Sequence, residues 1–151
     1  MATLDLTGIP GVTVTPSTPF DMSDIGRRVL RRAGDLALRE AQTNARQFRD
    51  SGALANSLLA RTSDMDAVIG SALPYAAAVE EGRRAGARQP PLEALEGWAS
   101  RRGVDPDVLY VIARAIGRRG IEGRMFLRRA YESVDHQMPG IIAAVAREHN
   151  L

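Results

Sequence analysis

Few residues in this chain are able to do chemistry, and they are scattered. No cysteine is present, which removes disulfides, thiolate metal sites and a cysteine nucleophile together. The histidines are His136 and His149. Asp135 adjoins His136, but sequence neighbours do not share a helix face, so the pair reads as solvated surface rather than as a base or metal ligand. Asp64 and Asp66 flank Met65. A divalent cation needs several oxygens around a cavity, whereas two carboxylates in a short polar run are turn formers. Glu80 and Glu81 are adjacent and diverge on a helix, so they do not form an acid–base pair. They read as partners for arginines of the following loop or of a second subunit. With no nucleophile and base to pair, the expectation is a protein that is not an enzyme and carries no cofactor or metal.

The stretch IGRRGI, residues 116–121, is the one nucleic-acid-like element. A Gly-x-x-Gly turn with Arg118 and Arg119 is similar to the loop with which KH domains clamp a single-stranded backbone. That arrangement needs a helix to begin directly after the loop, which Gly123 opposes. A helix C-cap at Gly120, with arginines favourably placed in the last turn, is the simpler reading.

These residues must be positioned by a chain of 151 residues, 44% hydrophobic and 25% charged, the profile of a globular domain. Aromatic content is only 5%, so the core is built from Ala, Leu, Ile and Val. All 20 basic residues are arginine, and the net charge is +2. The absence of lysine points to a GC-rich, codon-biased genome. It also gives a surface suited to bidentate pairing with carboxylates and phosphates. The N-terminal sequence has no basic and apolar leader pattern, and no apolar run approaches about 18 residues. The expectation is a chain neither exported by that route nor membrane-spanning.

Residues 1–22 read as an extended arm, with VTVT at 12–15 the one strand-like run, and residues 23–151 as a single α+β domain. Ile25, Val29, Ala33, Leu36, Ala37, Ala41 and Phe48 recur at helical spacing. They predict a long helix over about 23–49, with Ser23 as N-cap and Gly52 as stop. SLLART and AVIGSAL, separated by SDMD, predict a β-hairpin over about 55–73. The fold expected is thus a long N-terminal helix packed on a small antiparallel sheet, followed by several helices. PYAAAVEEG forms a short helix opened by Pro74 and ended by Gly82, and RRAGARQPP a loop. PLEALEGWASRRG is a helix with Leu92, Leu95, Trp98 and Ala99 on one face. VDPDVLYVIARAIGRRG is another, capped by Asp105, with Val108, Leu109, Ile112, Ala113 and Ile116 on its apolar face. A C-terminal helix follows, which Pro139 and Gly140 break or kink.

Four of these pieces in order, DSGALANSL, GSALPYAAAVEEG, PPLEALEGWASRRG and IARAIGRRGIEGRMFLRRAYE, resemble the head–tail joining and tail-completion proteins of long-tailed bacteriophages. The resemblance covers about residues 23–135; Met125 stands where that family often has proline before the Phe. It implies a structural virion protein of the phage neck, assembled in the host cytoplasm. Copies would form a hexameric ring that completes the tail and joins it to the head. Its implied partners are the tail-tube protein and the head-completion and neck proteins, with DNA passing through the channel without sequence-specific binding. On this reading GSAL sets Tyr75 at a sheet edge. Glu80 and Glu81 then face arginines of a neighbour, and the loop carrying Arg83, Arg84 and Arg88 orders on assembly. Arg118 and Arg119 complete the expected interface set. The alternative is a small nucleic-acid-binding regulator that uses the arginine-rich face of residues 27–32 and the GRRG turn.

Overall fold

Helix α1, Asp24–Arg46, is rich in Ala, Leu, Arg and Glu, all good helix formers. Its buried stripe is Gly26, Val29, Leu30, Ala33, Gly34, Ala37, Ala41 and Ala45, an i, i+3, i+4 pattern made mostly of residues with one side-chain carbon or none. The computed structural model describes residues 11–14, 24–48 and 51–149, so Ser23 falls outside the described residues. These residues divide into two compact units, one drawn from Met1–Ala76 with Met125–Leu151, the other Ala77–Arg124.

In the first unit, α1 packs most extensively on α6, Phe126–Glu148. Asn44 Nδ2, near the end of α1, donates to the Phe126 carbonyl at 3.1 Å. Arg32, early in α1, pairs with Glu148 at the end of α6. The two helices therefore run antiparallel. Phe126, Ala130, Val134 and Met138, four residues apart, form the buried ridge of α6 together with Leu127 and Val145. The helix continues as one element through Pro139, so of the expected break or kink the break does not occur. Pro139 lies on the exposed face, as does Asp135, the residue whose carbonyl loses its i+4 donor. Water can serve that carbonyl, and the cost of the proline is reduced.

The other partner of α1 is a three-stranded antiparallel sheet of β1, Gly11–Val14, β2, Leu58–Thr62, and β3, Ala67–Ser71, in the order β1-β3-β2. β3 is central and alternates, with Ala67, Ile69 and Ser71 buried, the signature of a strand with one core face. The hairpin forms as expected, but its turn is organised by Ser63 more than by the carboxylates. Ser63 N donates to the Asp66 carbonyl at 2.8 Å. Ser63 Oγ accepts from Met65 N and Asp66 N, both at 3.1 Å, a hydroxyl-closed turn. Buried Ser71 is satisfied by the Ser57 hydroxyl at 2.7 Å and by Leu73 N at 3.1 Å, as a buried hydroxyl requires.

Some boundaries differ from the expectation. α1 ends at Arg46, and Gly52, at φ 80°, precedes a short helix α2, Ala53–Ser57, where the sequence reads as the start of the hairpin. The strand in GSAL ends at Ser71 and belongs to the middle of the sheet, so Tyr75 does not follow an edge strand.

The second unit holds α3, Ala76–Glu81, β4, Gly82–Arg83, α4, Glu93–Arg102, α5, Leu109–Arg119, and β5, Ile121–Glu122; α3 gives its first residue to the first unit. α4 and α5 pack together, with Ala99, Leu109, Ala113 and Gly117 buried and Leu92, Leu95 and Trp98 half-buried. Gly103, at φ 65°, ends α4, its N–H reaching back to the last turn. Asp105 caps a 3-10 turn, Pro106–Val108, by accepting from Asp107 N at 3.0 Å. That turn rotates Val108 away from the expected apolar face, leaving it 43% exposed.

The contact between α1 and the sheet is tight enough to test. A Cβ on Gly34 would lie 3.1 Å from Ala67 Cβ and 3.3 Å from Thr62 Oγ1, whereas one on Gly140 in α6 meets nothing within 4 Å. Gly34→Leu is expected to destabilise by about 1–3 kcal/mol through overpacking, and Gly140→Ala to stabilise by about 0.5–1 kcal/mol through helix propensity. Urea unfolding of the two variants reads both signs.

Candidate interface residues and a cationic cleft

The expected interface residues do not form one group. Tyr75 belongs to the first unit, 46% exposed in the turn after β3. Glu80, Glu81, Arg83, Arg84, Arg88, Arg118 and Arg119 all belong to the second. There the backbone draws them together. β4 pairs antiparallel with β5, Gly82 opposite Glu122 and Arg83 opposite Ile121. Gly86 N donates to the Gly117 carbonyl at 2.8 Å, and Arg124 N to the Val79 carbonyl at 2.8 Å. The segment carrying Arg83, Arg84 and Arg88 is thereby laced to the end of α5, which carries Arg118 and Arg119.

Glycine makes this lacing possible. Gly82 and Gly120 have φ near +79° and +74°, the left-handed region that side chains resist. A Cβ on Gly120 would fall on the Arg83 carbonyl, one on Gly82 on the Ile121 carbonyl, and one on Gly123 at 2.6 Å from the Glu80 carbonyl. The loop RRAGARQPP thus has fixed partners within its own unit. Arg83 Nη2 donates to the Arg88 carbonyl at 2.8 Å, Ala87 N to the Arg84 carbonyl at 3.2 Å, and Pro90 is buried. The GRRG turn is a helix end, with Gly120 N donating to the Ile116 carbonyl and the next helix starting only at Phe126. No clamp of the KH kind is formed. The side chains of Arg84, Arg88, Arg118 and Arg119 are exposed and hold no ion pair or hydrogen bond among the described residues. At its opposite end, α5 exposes Tyr110 and Val111, at 52% and 62%.

A second cationic site lies in the first unit. A cleft of about 570 Å³ is lined by Asp24, Arg27, Arg28, Arg31, Arg32 and Glu148. Helical spacing puts 27, 28, 31 and 32 one turn apart in pairs, and the antiparallel run of α6 brings Glu148 to the same end. Asp24 and Arg27 form an ion pair three residues apart. Arg32 Nη2 reaches both Glu148 oxygens at 2.7 Å. The hydrogen bond and charge of Arg27 hold the Asp24 carboxyl below its ordinary range, and the Arg32 hydrogen bond does the same for Glu148. Arg28 adds to the positive field on both carboxylates. It holds no ion pair or hydrogen bond among the described residues, nor does Arg31. The sequence shows the arginine face but not Glu148, 116 residues away from Arg32.

Among the described residues no three His, Cys, Asp or Glu side chains gather to hold a metal ion, and no helix is long and apolar enough to cross a membrane. His136 is exposed, and His149 Nδ1 lies 3.1 Å from the Val145 carbonyl, so a proton on that nitrogen is donated to the end of α6. Comparison with protein-family models, curated proteins and solved structures finds no match to this chain.

Two outcomes follow. Gly120→Ala forces a strained φ, costing about 1–3 kcal/mol, and adds a collision with Arg83. Amide exchange over 82–86 and 117–124 is expected to accelerate sharply while α1 and α6 keep their protection. For Glu148, a depressed folded-state pKa means stability that is present above the unfolded value, near 4.3, and lost as pH falls through the folded one. Glu148→Gln should lower the melting temperature slightly at pH 7, the pair being exposed, and the difference from the parent should close as pH falls through the folded-state value.

Proposed function

We propose that this chain is a structural subunit of the neck of a long-tailed phage particle, which assembles into a ring at the tail end and joins tail to head. The observation that carries the reading is the second unit's surface. Arg84, Arg88, Arg118 and Arg119 are exposed on a backbone fixed by glycine lacing, and α5 adds the exposed apolar Tyr110 and Val111. Arginine and tyrosine are the residues that interfaces favour, because each brings large contact area and directed hydrogen bonds. Ring contacts are heterologous and need two unlike patches on each subunit. Exposed Glu81 of α3 supplies a site of opposite sign.

The four segments that carry the family resemblance cover α2 into β2, β3 into α3, the whole of α4, and α5 through β5 into α6. Light scattering over a concentration series, alone and with the tail-tube protein of the same particle, tests the ring reading. A ring mass in either condition is expected, and Arg84→Glu with Arg88→Glu should return the protein to monomer with unchanged circular dichroism. A monomer at every concentration that ignores the tube protein would overturn the proposal.

A further inference from the structure

The cleft at the start of α1 is not used by the ring reading, and its charge is unbalanced. Four arginines and two carboxylates line it, with Asp64 acting on Arg27 and His149 on both carboxylates from outside the lining. The division of labour among the four is uneven. Arg27 and Arg32 are held by Asp24 and Glu148, while Arg28 and Arg31 hold no ion pair or hydrogen bond among the described residues. Guanidinium groups in this state are available for bidentate contact with oxyanions. The outer ion pairs limit how far their arginines swing, so they frame the two available ones.

We propose that this cleft binds the phosphodiester backbone of a nucleic acid, with Arg28 and Arg31 contacting successive phosphates. The inference rests on the first unit's geometry alone and is independent of the ring reading. Spacing favours a chain of phosphates over a single one. Arg28 and Arg31 are offset by about 4.5 Å along the helix axis, within the reach of two long side chains for neighbouring phosphates. Glu148 restrains the site, because its carboxylate occupies Arg32 and repels an incoming anion.

The test is fluorescence anisotropy of a labelled 20-nucleotide oligothymidylate on the full chain at 50 mM salt. Binding that weakens with salt is expected, with Arg28→Gln plus Arg31→Gln reducing affinity at least tenfold and flattening the slope of log affinity against log salt by about 1.4, for two single-strand phosphates. Glu148→Gln frees Arg32 and should tighten binding about two- to fivefold, an effect that mere damage to the fold would not produce. Arg39→Gln, on α1 but outside the cleft, should change affinity less than twofold. The proposal is overturned if the Arg28/Arg31 variant, shown folded by circular dichroism, binds like the parent, or if Glu148→Gln fails to tighten. It is equally overturned if inorganic phosphate at matched phosphate concentration displaces the oligonucleotide completely, or if polyglutamate binds more tightly than oligothymidylate, which would make the site one for free phosphate or for an acidic peptide.

Discussion

The first unit depends on how closely α1 can approach its neighbours. Ala33, Gly34, Ala37, Ala41 and Ala45 along its buried stripe leave no side chain long enough to hold α6 or the sheet at a distance. Close-packed interiors lose energy rapidly when a gap of even part of an ångström opens, so small residues on α1 demand large ones opposite. Phe126, Val134 and Ile69, all fully buried, supply that bulk. The second unit uses the same constraint at the level of the backbone. Where Gly82, Gly120 and Gly123 lie against carbonyls, the main chains themselves are in contact, and hydrogen bonds replace the apolar mass that a segment of 48 residues cannot provide alone.

An arginine-only cationic surface gives the electrostatics a particular character. Each guanidinium stays charged at any biological pH, so the pattern of charge is set by which arginines find carboxylates and does not change with protonation of the cations. In the first unit that pattern separates neighbours, Arg27 and Arg32 being engaged while Arg28 and Arg31 are not. Exposed pairs of this kind contribute little to stability. Their effect is on geometry and on the local field.

Much of the fold was legible in the sequence because its signals are local. The period of Val29, Ala33, Ala37 and Ala41 specified α1, the SDMD break specified the hairpin, and Asp105 with Pro106 specified the start of the helical run to Arg119. The failures are equally instructive. Pro139 was read as breaking or kinking its helix because sequence does not say which way it faces, and on the outer face its missing N–H is tolerable without a break. The pairing of β4 with β5 was invisible, since two-residue strands have no period, and its trace lies only in the glycines that flank it. The cleft was half legible: four arginines announce themselves, but Glu148 joins them only through the antiparallel packing of α6.

Trp98 lies half-buried on α4 in the second unit and is the only tryptophan of the chain. The 23-residue helices α1 and α6 belong to the first. The two units are for this reason optically distinct. Indole emission originates in the glycine-laced unit, whereas far-ultraviolet ellipticity is weighted toward the long helix pair, so a single heated sample is read through two colours of light.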